Sequence, residues 1–364
     1  MALSRRGVLA GIGTAVGMAG CTGRTTTNPT GPTVTDAVGR SVTLPATIED
    51  IVCIGPGLLR QAAYMGLTDR IVGVENIPES AYDDIPYLLA YPELADRPIV
   101  GQSGADRTGN PEQLLAVDPD VIFFRGDRTH AETLSAQTET PVVMVSYGRI
   151  NDQSARDRLV DTWQLIGRVT DTRGRADTLT TFLDETVTDL HERTADLSPS
   201  EQAHAYAGAF RYQGAHGLAT TRSDTTAFAL AGVADAVDGL TVDRSAVSIN
   251  HERLWNVDPE RIFIDVMSVD RVRREIAENP EFKQLTAVKT GQVYPLLPVF
   301  RDMRNFGSIL ANAYYVGSVV YPDRFADIDM PKRADAIYEA LLETPVYDAI
   351  TTVFPQTFQP LYDD

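Results

Sequence analysis

A chain of 364 residues, 43% apolar and 8% aromatic, is long enough for two domains and apolar enough to bury a core in each, which excludes a disordered chain. Fifty acidic side chains against 32 basic ones leave a net charge of −18. A surface of that sign repels phosphate backbones and excludes nucleic acid as a partner.

The first residues read as an address. Arg5-Arg6 precedes an apolar run from Val8 to Ala19, and Met18-Ala19-Gly20 stands directly ahead of Cys21. A charged start, a short apolar stretch and small residues mark an export signal, here of twin-arginine type. About 12 apolar residues are too few to span a membrane. Small residues before a cysteine are similar to a lipobox, which makes Cys21 a lipid anchor; the alternative is a plainly cleaved signal with an incidental cysteine. Residues 22–35, rich in Thr, Gly and Pro, read as a flexible tether. With residues 1–21 as the signal, the remainder is expected outside the cell, anchored to the outer face of the cytoplasmic membrane through lipid alone. Cys21 and Cys53 cannot build a disulfide framework. Only Lys283, Lys289 and Lys332 are lysines, against 29 arginines, and an acid-rich, lysine-poor surface is similar to those of salt-loving archaea, where salt screens carboxylate repulsion.

Apolar, β-rich runs predict buried strands at Ile51 to Gly55, Arg70 to Val74 and Pro141 to Ser146 in the first half, and at Ala203 to Gly208 and Gln292 to Leu296 in the second. The block Glu112 to Phe124 returns as Glu252 to Ile264, 140 residues on, with Glu, Leu, Val, Asp, Pro, Ile and Phe in matching places. Each copy reads as a short helix, an Asp-Pro turn and a strand. Trp255 falls opposite Leu115, taken as a core position. A repeat this long is two related lobes rather than a solenoid. Between them Ala176, Leu179, Phe182, Leu183, Thr186, Val187 and Leu190 recur at helical spacing, predicting one long helix from Arg173 to Ala195; a helix belonging wholly to one lobe is the alternative. The fold class expected is α/β: two Rossmann-like lobes with parallel sheets, residues 36–165 and 198–364, joined by a backbone helix within 166–197.

The segment Thr35 to Pro45 with Ile51-Val52, then Leu67 to Val74, Pro111 to Phe124, Glu252 to Asp265 and Gly291 to Tyr294, taken together and in this order, resembles the substrate-binding lipoproteins of ABC importers for ferric siderophores, haem and cobalamin. The resemblance covers about residues 33–345. It implies a ligand cleft between the lobes, delivery of the ligand to a permease with its ATPase, and no cofactor of the protein's own. A monomer is expected.

Ligands of open parallel sheets bind beyond the carboxyl ends of strands. Those positions offer Gly57, Gln102, Ser103, Arg125 and Tyr147 in the first lobe, and Arg211, Tyr212, His216 and Arg301 in the second. Flat, anionic chelates of catecholate or hydroxamate type call for arginines that stack and donate in a fork, for which Arg125, Arg211 and Arg301 are candidates. Tyr147, Phe210, Tyr212 and Trp255 are candidate walls. His130, His191, His204, His216 and His251 are scattered and form no His-x-x-x-His pair, so direct metal binding is not expected. His216 alone follows a predicted strand in a loop, where it would serve as an axial ligand to haem or a corrinoid. Carboxylates Glu75, Glu79, Asp235 and Asp238 are candidates for docking on the permease.

No G-x-S-x-G, G-K-[ST], H-E-x-x-H or C-x-x-C occurs, so no enzyme is expected. Two other readings remain open: binding of an oxyanion such as molybdate through Gly101 to Gly104 and Thr220-Thr221, and a surface-anchored enzyme, such as a metal-dependent hydrolase, using the same cleft.

Overall fold

The computed structural model describes residues 31–78, 81–103, 108–210, 216–222, 225–237 and 247–362. The expectations placed on residues 1–30, Cys21 included, and on Glu79, Arg211, Tyr212 and Asp238 lie outside the described residues.

The chain opens with a hairpin of β1 (Thr33–Thr35) and β2 (Ser41–Thr43), so the last three residues expected in the tether are strand. Asp36 at its corner accepts the Val38, Arg40 and Met144 amide hydrogens, and Arg40 donates to the Val142 carbonyl. These bonds fold the hairpin onto the edge of the first sheet, where it shields otherwise unpaired backbone.

The first lobe runs β3 (Ile51–Ile54), α1 (Leu58–Tyr64), β4 (Ile71–Asn76), α2 (Pro86–Ala90), β5 (Ile99–Gln102), α3 (Pro111–Val117), β6 (Val121–Phe124), α4 (Arg128–Thr138) and β7 (Val142–Met144). Its sheet is parallel throughout, in the order β5-β4-β3-β6-β7. Strand order reverses at β3 and β6, which places Gly55 beside Arg125. The Arg125 amide donates to the Ile54 carbonyl, and a Cβ on Gly55 would lie 2.5 Å from the Arg125 carbonyl oxygen.

Two helices follow, α5 (Gln153–Thr170) and α6 (Arg173–Glu192). The predicted stripe of α6 is buried at Ala176, Leu179, Leu183, Thr186, Val187 and Leu190, with Phe182 half-buried. The second lobe comprises β8 (His204–Gly208), β9 (Thr220–Thr221), α7 (Thr226–Leu230), β10 (Ala234–Asp235), β11 (Val247–Ser248), α8 (His251–Val257), β12 (Ile262–Asp265), α9 (Val269–Glu278), α10 (Thr286–Lys289) and β13 (Val293–Leu296), then α11 (Phe306–Val320), α12 (Met330–Leu342) and α13 (Tyr347–Val353). Its sheet is β11-β9-β8-β12-β13, with β10 also on β8.

This second sheet is mixed, not parallel as expected. β8, β12 and β13 run parallel, but β9 and β11 pair antiparallel. A parallel connection needs roughly a dozen or more residues for its crossover, and Gly208 and Thr220 are too close in sequence to provide one.

The repeated blocks are the same unit twice. Asn110 caps α3 by accepting the Glu112 and Gln113 amides, and Asn250, 140 residues on, caps α8 through the Arg253 amide. Asp118 and Asp258 end those helices in the left-handed region, at φ 47° and 38°. The following proline bars right-handed helix there, and β6 and β12 then enter equivalent places beside β3 and β8. The core-facing residues are Leu114 and Leu254, each fully buried. Leu115 is 55% exposed, and Trp255 is half-buried against the second core, so the assignment of that pair as core was one residue out of register.

α11 is buried along nearly its whole circumference, as an apolar helix must be. One side joins the first lobe through Phe306, Leu310 and Tyr314, and the other packs on the second sheet through Tyr315, Val316 and Val320. α12 and α13 then pack on α1 and α2. The end of the chain is therefore a wall shared by both lobes. Among the described residues no helix is long and apolar enough to cross a membrane.

Candidate functional site

After β13 the chain crosses from the second sheet to the first as residues 299–305. Phe300 and Arg304 form an antiparallel bridge, and Asp302 and Met303 at the tip both hold positive φ, 47° and 68°. The tip docks into a socket of the first lobe. Gly57 donates its amide to both oxygens of Asp302, and Arg301 pairs with Asp84 through its Nε at 2.8 Å and its Nη2 at 2.5 Å. Arg125 lies against the Met303 sulfur and over the Tyr147 ring.

The floor of the socket is Arg60, a helix residue with no exposed surface. It donates to the Tyr147 hydroxyl and to the carbonyls of Arg301, Asp302 and Arg304. Burial opposes its charge, but the oxygens of Tyr147 and Asp302 more than compensate and its pKa is raised. Tyr147 in turn donates to the Arg304 carbonyl at 2.6 Å. Burial raises the Tyr147 pKa, with Arg60 pulling the other way, so the phenol keeps its proton. Burial, with Glu75 beside it, likewise pushes the Cys53 thiol up and leaves it a packing residue.

Behind this segment, between α7, α11 and the end of β13, lies a cavity of about 30 Å³. Phe210, Leu296, Val299, Phe300 and Ile309 make its apolar wall, and Arg222, Thr225, Thr226, Arg304 and Asn312 its polar one. The Phe300 ring carries two guanidiniums, Arg222 at 3.6 Å and Arg304 at 5.0 Å from its centroid. Arg222 is itself 3% exposed. No carboxylate is among the described lining residues, in a chain with 50 acids. Asn312 fixes the end of β13 by exchanging two hydrogen bonds with Leu297.

Sequence-predicted residues divide accordingly. Gly57, Tyr147, Arg125 and Arg301 converge on the socket, although Arg301 spends its fork on Asp84 rather than facing the cavity. Gln102 and Ser103 are exposed at the end of β5, two strands from Gly57, with Gln102 accepting from the Asn76 side chain and Ser103 donating to its backbone carbonyl. His216 is half-buried beside Gly217, whose neighbour is the Glu275 carboxylate, and does not line the cavity. Phe210 does, as expected of a wall. Of the docking carboxylates, Glu75 is turned onto the Gly55 amide and Asp235 onto Thr225 and the Val237 amide, both partly buried rather than projecting from a rim. Arg222 was missed although it directly follows Thr220-Thr221, and Arg60 because nothing in α1 shows which loop will close over it.

Comparison with known proteins agrees with this architecture. The chain is 21% identical over 300 residues to YvrC of Bacillus subtilis, described as an uncharacterized ABC transporter substrate-binding lipoprotein, with 81% of this chain and 87% of that one covered. It is 25% identical over 341 residues to the molybdate-binding protein MolA of Haemophilus influenzae, covering 85% and 91%. The solved structure of MolA with molybdate superposes with a TM-score of 0.68 at 20% identity, over 86% of this chain and 99% of that one. A TroA-like periplasmic binding protein, FepB from Veillonella parvula, gives 0.63 at 20% identity, over 86% and 96%. Proteins of this kind bind small ligands and work with the permease and ATPase of an ABC importer. The two-lobed fold and the match of residues 51–298 to the periplasmic binding proteins agree: the chain belongs to that family.

Proposed function

We propose that this protein is the exported, Cys21-anchored binding component of an ABC importer, and that it captures an anionic metal chelate of the ferric-siderophore type, a corrinoid being the nearest variant. The supporting observation is the Phe300 ring carrying the guanidiniums of both Arg222 and Arg304. Guanidiniums stack on flat π-faces and donate to anionic oxygens in a fixed fork, which suits the faces of a catecholate or hydroxamate chelate.

A volume of about 30 Å³ holds one or two waters. A chelate therefore enters only as the walls of the cavity part, with residues 299–305 and 216–222 the elements to be displaced. An oxyanion is the second reading, favoured by the likeness to MolA and by this small volume; Thr225, Thr226 and the two arginines would be its donors.

Titration separates the two. A ferric tris-catecholate chelate, cobalamin and molybdate are each added to the purified protein while its melting temperature and tryptophan fluorescence are followed. A ligand at a hundred times its Kd stabilises the fold by about 2.7 kcal/mol. The chelate is expected to raise the melting temperature and quench fluorescence. A response to molybdate alone transfers the assignment to the oxyanion.

A further inference from the structure

We infer that Arg60 is the positioning residue of the ligand site: a first-lobe side chain that fixes the second lobe's residues 299–305, and with them Phe300 and Arg304. The inference rests on the reading of the Phe300 cavity as the place where ligand binds.

Three of the four residues from Arg301 to Arg304 give their carbonyls to one guanidinium. Nη2 donates to Arg301 at 2.6 Å, and Nη1 donates to Asp302 at 2.7 Å and to Arg304 at 3.3 Å. Nη1 also donates at 2.6 Å to the Tyr147 hydroxyl, whose own proton goes to the Arg304 carbonyl. The bonded carbonyls lie within the turn closed by the Phe300 to Arg304 bridge, so Arg60 sets the position of the two side chains that flank it. Only a planar fork reaches acceptors spread in this way; an ammonium on a flexible stem satisfies some and leaves the rest.

A buried guanidinium that loses its acceptors is strongly unfavourable. Residues 299–305 therefore cannot leave the first lobe unless Arg60 takes up water at the same time. In sequence the segment belongs to the second lobe, between β13 and α11, yet by these bonds it is held as part of the first. Positive φ at both Asp302 and Met303 agrees with a turn that is held in place from outside rather than by its own preference.

The test compares Arg60→Lys and Arg60→Met with Leu361→Ala, a cavity in the core of the second lobe that touches none of the bonds of Arg60. Two quantities are read: amide exchange over residues 299–305, and the dissociation rate of a ferric tris-catecholate chelate. Both Arg60 variants should exchange at least tenfold faster over 299–305, with α6 unchanged, and should release the chelate at least tenfold faster. Leu361→Ala should lower the melting temperature and change neither. The inference is overturned if Arg60→Lys keeps both rates within twofold of the parent, or if Leu361→Ala reproduces the effect. Should the unaltered protein fail to bind the chelate, the ligand assignment falls, and exchange alone decides the role of Arg60: acceleration confined to 299–305 supports it, and acceleration spread evenly over the chain overturns it.

Discussion

Gly57 and Asp302, 245 residues apart, meet across the two lobes, the glycine amide hydrogen shared between both carboxylate oxygens at 3.2 Å. The carboxylate lies at the amino end of α1, where negative charge is favourable by about 0.3–1 kcal/mol. Asp302 holds a left-handed φ of 47°, which costs a residue with a Cβ about 1–2 kcal/mol.

Two substitutions at Asp302 separate those effects. Asp302→Ala loses the carboxylate and keeps the strain, whereas Asp302→Gly loses both. The glycine variant should be the more stable of the two by about 1 kcal/mol, read as the difference in urea midpoints. Equal midpoints would show that the turn is not strained.

Gly57→Ala should be clearly destabilising for two reasons. The residue holds φ 74°, and an added Cβ would lie 2.2 Å from the Tyr147 ring. Moving Tyr147 disturbs its bonds to Arg60 and the Arg304 carbonyl, so a loss of about 2–3 kcal/mol is expected from overpacking. Calorimetric melting checks this, and an unchanged melting temperature would mean that the socket is loose.

Phe300→Ala should act on both binding and stability. The two cation–π contacts are made in the free protein and are worth about 0.5–2 kcal/mol each, so affinity for the anionic ligand should fall as the guanidiniums lose the ring that orients them, and the melting temperature of the free protein should fall by several degrees. Isothermal titration measures the first and calorimetry the second. Full retention of affinity would remove Phe300 from the site.

Acid should weaken the far end of α6. Arg193, just past α6, donates to both oxygens of Asp327 and to those of Asp189, which also accepts the Tyr314 hydroxyl. The Arg193 bond holds Asp327 at a pKa of about 2, below the ordinary 3.8. A pKa lowered by folding contributes stability that is complete above the unfolded value and disappears as pH falls from about 4 to about 2. The stability gap between the parent and Asp327→Asn should be constant above pH 5 and close over that window. Because Asp327 is exposed, the gap should be small and shrink further with salt. A gap that persists at pH 2 would assign the effect to something other than its charge.

The sequence was most informative where periodicity is strict. The apolar runs became β3, β4, β7, β8 and β13, the three-and-four stripe became α6, and the twin Asp-Pro blocks became matching helix–turn–strand units. What escaped was decided by contacts between distant residues. Arg60 lies among the apolar residues of α1 and Arg222 beside two threonines, and neither position shows which loop will close over it. Arg301 was legible as an arginine after a strand, but Asp84, which neutralises it, is 217 residues away. The return of α12 and α13 to the first lobe was equally hidden, because an amphipathic stripe says that a face is covered and not by what.

The central claim is that an anionic metal chelate is held by the Arg222, Phe300 and Arg304 group. Isothermal titration of a ferric tris-catecholate chelate into the parent protein and into the Arg222→Ala/Arg304→Ala double variant tests it most directly. The account predicts one-to-one binding to the parent and at least a hundredfold loss of affinity in a variant that still melts cooperatively. Equal affinity in both proteins, or no heat with the parent, would contradict it.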